Sequence, residues 1–199
     1  MAVLISGSGS NLQALIDHTR NPAKQSQAEI VLVISNKDNV KGLERARANH
    51  IPIKVISHVP YKDNREAYDR LLDDELVRCR ADFVFLAGFM RILSNEFVAK
   101  WEGRLVNIHP ALLPAFPGMN THRRALEAGV QFHGTTVHFV DTGVDTGAII
   151  RQRVVEIFPE DTEETLQEKV KQAEHRLYPE VMELLVRNKI RLNKRLQWN

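Results

Sequence analysis

The sequence has a single cysteine, Cys79, so no intrachain disulfide can staple the fold and a reducing compartment is the expected setting. Cys79 falls in a predicted helix without a thiol-activating motif around it. Long hydrophobic runs are missing too. The apolar start Ala2-Val3-Leu4-Ile5 ends at Ser6-Gly7, too short for a signal h-region or a membrane span. A soluble, cytoplasmic protein with no membrane partner is expected. Nor is there an excess of charge of one sign: the formal net charge is +2, which disfavours a polyanionic partner such as nucleic acid. The one local basic excess, Arg187, Lys189, Arg191, Lys194 and Arg195, reads as a solvated tail. With no internal repeat, low-complexity tract or linker, the 199 residues, 43% of them hydrophobic, are expected to form one domain over 1–199 with one buried core.

What is present is a rhythm of short apolar runs and helical segments. Residues 2–6, 30–35, 53–56, 83–86 and 105–108 are expected strands. Their runs are continuously apolar, as parallel strands covered by helices on both faces require. The expected class is therefore α/β, a doubly wound, mostly parallel twisted sheet with helices on both faces. Leu12, Leu15 and Ile16 give one helical stripe, and Ala67, Leu71, Leu72 and Leu76 within 64–78 give another. Pro110, Pro114, Pro117 and Gly118 impose a loop before a short helix around 121–128. Strands at 135–140 and 149–155 flank the turn Asp141-Thr142-Gly143-Val144-Asp145-Thr146-Gly147 and can pair antiparallel across it. A last helix over about 162–187 docks through Leu166, Val170, Ala173, Leu177, Val181 and Leu184.

The most informative stretch is Val106-Asn107-Ile108-His109-Pro110-Ala111-Leu112-Leu113-Pro114. Alternation along a strand puts Asn107 and His109 on one face at its end, the place where open α/β sheets bind ligands. Together they offer an amide donor for a developing oxyanion and an imidazole that moves protons near neutral pH; read blandly, they are polar residues capping a strand end. Ser6-Gly7-Ser8-Gly9-Ser10-Asn11 joins the first strand to the first helix, where free backbone N–H groups favour a phosphate, here a phosphomonoester. It lacks the third glycine of a dinucleotide fingerprint, where Leu12 stands, and Asn36 in place of an acid ends the second strand. A tight turn alone also accounts for its glycines. Asp145, if it meets His109, favours the imidazolium; otherwise it is an ordinary turn aspartate. His138, inside a strand, reads as a satisfied core histidine. A metal site from His109, His138 and Asp145 is conceivable, but no spacing such as H-E-x-x-H appears and no metal is expected.

In their order, SGSGSN, AGFMRIL, NIHPALLPAFPG, HGTTVHFVDTGVDTGAII and KQAEH resemble the glycinamide ribonucleotide formyltransferases over nearly the whole chain. The resemblance implies a Rossmann-like formyltransferase fold. It implies transfer of a formyl group from the co-substrate 10-formyltetrahydrofolate to the amine of phosphoribosylglycinamide in purine synthesis, so the partners are small molecules. It also implies that Asn107, His109 and Asp145 form the catalytic group, with His109 the proton donor and Asp145 favouring its protonated form. Gly9, Ser10 and Asn11 are then the phosphate loop, and Lys171, Gln172, Ala173 and Glu174 a second contact for the ribonucleotide. The helix pattern by itself puts Glu174 on a solvated charged face.

For the folate, the resemblance implies one pterin wall from Met90, Arg91, Ile92 and Leu93 and an opposite side from Asp141, Thr142, Gly143, Val144 and Asp145, with Asn107 between. Arg65 is implied to meet the glutamate carboxylate, an apt use of a guanidinium, though its own pattern is that of a surface helix residue. Asp141-Thr142-Gly143 replaces what is often a more acidic run, and Met119-Asn120 lies in a variable stretch; both are expected to alter folate affinity and not reaction type. Methionyl-tRNA formyltransferase has an extra C-terminal domain for which this chain has no length. Formyltetrahydrofolate hydrolase has an extra N-terminal domain and lacks SGSGSN. A hydrolase or a non-catalytic folate or phosphate sensor on the same fold is the rival reading. Animal relatives carry this unit at the end of a multifunctional purine-synthesis protein, so a free-standing enzyme and a domain of a larger chain are both open.

Overall fold

The computed structural model describes residues 1–193 and 195–198, with side chains through Leu192. Seven strands form one sheet: β1 (Ala2–Ile5), β2 (Leu32–Ser35), β3 (Ile53–Val55), β4 (Val84–Leu86), β5 (Leu105–His109), β6 (Phe132–Phe139) and β7 (Ile149–Glu156). Their spatial order is β3-β2-β1-β4-β5-β6-β7. The first five are parallel, while β6 pairs antiparallel with β5 and β7 with β6. The helices are α1 (Ser10–Arg20), α2 (Lys41–Ala48), α3 (Arg65–Arg78), α4 (Asn95–Lys100), α5 (Thr121–Glu127) and α6 (Glu163–Val186).

Strand alternation divides the interior. Val3, Ile5, Val33, Phe85, Val106 and Ile108 point to a layer closed by α1, α2 and α6, whereas Ala2, Leu4, Leu32, Ile34, Val84, Leu86 and Leu105 point to one closed by α3 and α4. Both faces of each central strand are thus apolar, and each fully buried Leu, Ile or Val contributes roughly 1.5–3 kcal/mol. Leu12, Leu15 and Ile16 are fully buried, as the stripe in α1 predicts. In α3 the buried positions are Tyr68, Asp69, Leu72 and Leu76, with Ala67 and Leu71 at the margin. In α6, Leu184 is only partly buried, and Tyr178, Met182 and Leu185 share the interior instead.

Two helices lie outside the sequence expectation, α2 and α4. Both are short and charged, so each carries too few apolar positions to show a period: Gly42, Leu43 and Ala46 in α2, Phe97 and Val98 in α4. A cap marks α4, where Ser94 Oγ accepts from the Phe97 N–H (3.3 Å). The reading of the basic C-terminal stretch as a tail is corrected, while its solvation holds for Arg187, Lys189 and Arg191, which are exposed. After α6 the chain forms an antiparallel hairpin of β8 (Ile190–Asn193) and β9 (Arg195–Trp198). Ile190 is buried in the α1–α6 layer, and Arg187 Nε pairs with Glu183 (2.9 Å). Apolar alternation at Ile190 and Leu192 outweighs the charges between them. Lys194 lies outside the described residues, as does the Arg195 side chain.

Candidate active site

The strand order reverses beside β1, where the chain turns to β2 on one side and to β4 on the other, and ligands bind above such a switch point. Asn107 and His109 stand at the end of β5, and antiparallel pairing sets His138 of β6 directly opposite Asn107. The turn between β6 and β7 folds back over them. Gly147 lets it do so, since a side chain there would run into the Phe139 carbonyl. Asp141 stabilises the turn itself, its Oδ1 accepting from Gly143 N–H (3.1 Å) and Thr146 Oγ1 (2.7 Å). Asp145 then sits at φ 56°, a left-handed conformation uncommon for aspartate, that aims its carboxylate inward.

The result is one connected polar group. Asp145 Oδ2 accepts from the Gly118 N–H (2.8 Å) and lies 3.3 Å from His109 Nδ1, while Oδ1 is 3.7 Å from His138 Nε2. His109, only 5% exposed, sets its Nε2 3.0 Å from the Phe116 carbonyl. Both ring nitrogens therefore face oxygens that only accept, contacts that the doubly protonated ring satisfies together. His138 is the opposite case. Its Nδ1 donates to the Phe139 carbonyl (2.8 Å), leaving Nε2 to accept from Asn107 Nδ2 (3.3 Å). Burial lowers the His138 pKa, against the smaller opposing effects of that bond and of Asp145, so the neutral ring is the resident form. Asn107, His109 and Asp145 are thus brought together, and His138 joins them where the sequence favoured a core histidine over a metal ligand. Its pairing opposite Asn107 is the signal that finds it.

A second polar group lies at the head of α1. Gly9 adopts φ 67°, and a Cβ there would strike the Gly42 backbone, so the loop and α2 touch through two glycines. Asn11 Nδ2 donates to Glu174 Oε2 across the α1–α6 contact (2.9 Å). Glu174 is 8% exposed, and burial pushes its carboxyl up to about 7 against that hydrogen bond. This corrects the solvated-face reading: α1 packs over the flank of α6 that holds Glu174. Asn11 Oδ1 is buried with no hydrogen-bond partner. Of the neighbours, Ala173 is buried, Gln172 is exposed, and Lys171 pairs with Glu168 (3.2 Å).

The segment after β4 is tied to this loop, Met90 N–H donating to Ser6 Oγ (2.8 Å). Met90 and Ile92 are 64% and 61% exposed, and Val144 is 55% exposed on the β6–β7 turn. The Leu93 side chain is buried in the α3–α4 layer. Arg91 lies over the Tyr68 ring at 4.8 Å, with its Nε buried and without a hydrogen-bond partner. Arg65 is exposed at the first position of α3. Among the described residues no group of three His, Cys, Asp or Glu could hold a metal ion, and no helix is long and apolar enough to cross a membrane.

Residues 1–182 match the family described as formyl transferase. The chain is 44% identical to the phosphoribosylglycinamide formyltransferase of Escherichia coli (strain K12), over 100% of this chain and 92% of that protein. It is 55% identical to the trifunctional purine biosynthetic protein adenosine-3 of Drosophila melanogaster, over 94% of this chain but only 14% of that protein. This chain therefore spans a small part of the multifunctional relatives it matches. Among solved structures, it superimposes on glycinamide ribonucleotide transformylase 1 from Symbiobacterium toebii with a TM-score of 0.93 at 39% identity, covering 99% of this chain and 92% of that one. The mostly parallel seven-stranded sheet is shared with that protein.

Proposed function

The chain belongs to the formyl transferase family, and from that premise we propose that it transfers the formyl group of 10-formyltetrahydrofolate to the amine of N1-(5-phosphoribosyl)glycinamide, a step of purine synthesis. The observation that carries this reading is the meeting of Asn107, His109 and Asp145 at the end of β5, with the anion-favouring head of α1 and the buried Glu174 bonded to it at the same carboxyl edge of the sheet. The head of α1 at Gly9, Ser10 and Asn11 takes the phosphate. Glu174 accepts from ribose hydroxyls, and Lys171 to Ala173 line the approach. Met90 and Ile92 face the pterin from one side and Val144 from the other, with Arg65 meeting the folate carboxylate.

In the proposed reaction the neutral amine attacks the formyl carbon directly, and a C–N bond forms as the carbonyl electron pair moves onto oxygen. Collapse of this tetrahedral species expels the folate nitrogen, which gains a proton while the attacking amine loses one. No covalent enzyme intermediate and no metal take part. With Asp145 holding Nδ1 at 3.3 Å, the Nε2–H of His109 is the donor for the oxyanion, exchanging the neutral Phe116 carbonyl for a stronger, charged acceptor. His138 fixes one amide hydrogen of Asn107, so the other is free to meet the same oxygen. Most of the rate comes from holding amine and formyl group in line, with the oxyanion contacts adding to it.

The test follows folate absorbance after mixing purified protein with 10-formyltetrahydrofolate, with and without phosphoribosylglycinamide. Deformylation that requires the ribonucleotide and yields its formylated product is expected. Deformylation without acceptor makes the protein a hydrolase, and tight binding with no turnover makes it a sensor.

A further inference from the structure

Arg45 stands on α2, outside every motif that points to the reaction. Its Nε donates to the Ser8 carbonyl (3.0 Å) and its Nη1 to Gln13 Oε1 (3.2 Å). Its stem passes beside Gly9, where a Cβ would lie 3.5 Å from Arg45 Cδ. On either side, the Gly7 carbonyl accepts from the Gly42 N–H (3.0 Å) and the Gly9 carbonyl from the Gln13 N–H (2.9 Å). Three consecutive carbonyls of the loop are thereby occupied, two from α2 and one within α1. A carbonyl engaged in this way cannot swing its negative end toward an anion at the head of α1, where helix geometry leaves the first N–H groups without partners. The side chain is suited to the task because a guanidinium serves two acceptors in different directions, which an ammonium on a flexible stem does less well. Its charge also reaches the second contact region. His175, next to Glu174, has its pKa lowered first by burial and then by Lys171 and Arg45, against the opposing charges of Glu168 and Asp17.

Resting on the reading of α1 as the ribonucleotide phosphate site, we propose that Arg45 is a positioning residue for that phosphate: it pins the Ser8 carbonyl away from the anion and sets a second cation beside the loop. It thus determines the preference for a phosphorylated acceptor over its dephosphorylated nucleoside.

The experiment measures kcat and KM for both acceptors in wild type, Arg45→Ala, Arg45→Gln and Arg45→Lys, each checked for an unchanged thermal unfolding midpoint. Arg45→Ala is expected to raise KM for the phosphorylated acceptor about tenfold, the scale of one hydrogen bond to a charged group, with kcat held within about twofold. The nucleoside should be used as well as by wild type. Arg45→Lys should recover part of the lost affinity and Arg45→Gln less, because lysine keeps the charge. Equal losses for the two acceptors, or none for either, overturn the proposal. Calorimetric titration with inorganic phosphate separates it from the transferase reading. If wild type turns over neither acceptor, that reading fails alone; weaker phosphate binding by Arg45→Ala still supports the positioning role, and unchanged binding ends it.

Discussion

At the end of β5, both ring nitrogens of His109 and the Oδ2 of Asp145 already face protein partners. At the head of α1, 8%-exposed Glu174 has one hydrogen bond and the Oδ1 of Asn11 is buried with none. The first group is held in place by protein partners before any ligand arrives, so meeting an oxyanion asks only that His109 Nε2–H exchange the Phe116 carbonyl for it while Asn107 offers its free amide hydrogen. The second is left under-satisfied, and an unpaired buried polar group is destabilising until a ligand pairs it. Rigidity is concentrated where bonds change, and unmet hydrogen-bonding capacity where the substrate is held.

The sharpest way to break this contrast is at the β5 end. His109→Ala and Asp145→Asn should each lower kcat on the order of 10²–10³-fold while the ribonucleotide dissociation constant stays near wild type. Unimpaired turnover in both variants would sink the assignment. The next effect is at the other end and is read in stability. The Glu174 carboxyl is raised from 4.5 to about 7, so its stabilising contribution is complete below the ordinary carboxylate range and is lost as pH rises through about 7. In urea unfolding at pH 5 and pH 8, wild type should lose on the order of 3 kcal/mol relative to Glu174→Gln, since the buried histidines with lowered pKa titrate alike in both proteins. A parallel pH dependence in the two proteins would place the titrating group elsewhere.

Tyr178 joins the two ends. Its hydroxyl, buried on α6, reaches the carbonyls of Leu86 (2.9 Å) and Val106 (3.2 Å) in the strands that lead to the site. Tyr178→Phe should cost about 1–2 kcal/mol by chemical denaturation. It should also raise KM for the ribonucleotide more than it lowers kcat, since α6 carries Glu174 and not His109; the reverse pattern would contradict the division of labour. The smallest effect belongs to Arg123, whose Nε pairs with Glu163 at 3.0 Å across side chains 62% and 39% exposed. Arg123→Ala should change stability by no more than about 0.5 kcal/mol and leave both kinetic constants unmoved.

Much of this was legible beforehand. The inner parallel strands β1, β2, β4 and β5 show themselves as apolar runs because they are covered on both faces, and α1 and α6 because their stripes are long enough to repeat. The loop from Ser6 to Asn11 and the pair Asn107 and His109 declare themselves by residue type at a strand end. Short α2 and α4 did not, because each offers too few apolar positions to show a repeat. Glu174 was misread because helical periodicity reports only the face a helix would bury by itself, and α1 adds a second buried flank.

What local sequence determined, then, is the set of elements and the chemistry available at their ends, since backbone preference and apolar period act between residues a few positions apart. Only tertiary structure decided which of those groups meet. Asp145 reaches His109 across 36 residues because the β6–β7 turn folds back, Glu174 reaches Asn11 across 163 because α6 returns beside α1, and Arg45 reaches Ser8 across 37 because two glycines let α2 approach. Such contacts depend on sheet order and packing distance, which are properties of the whole chain and of no segment within it.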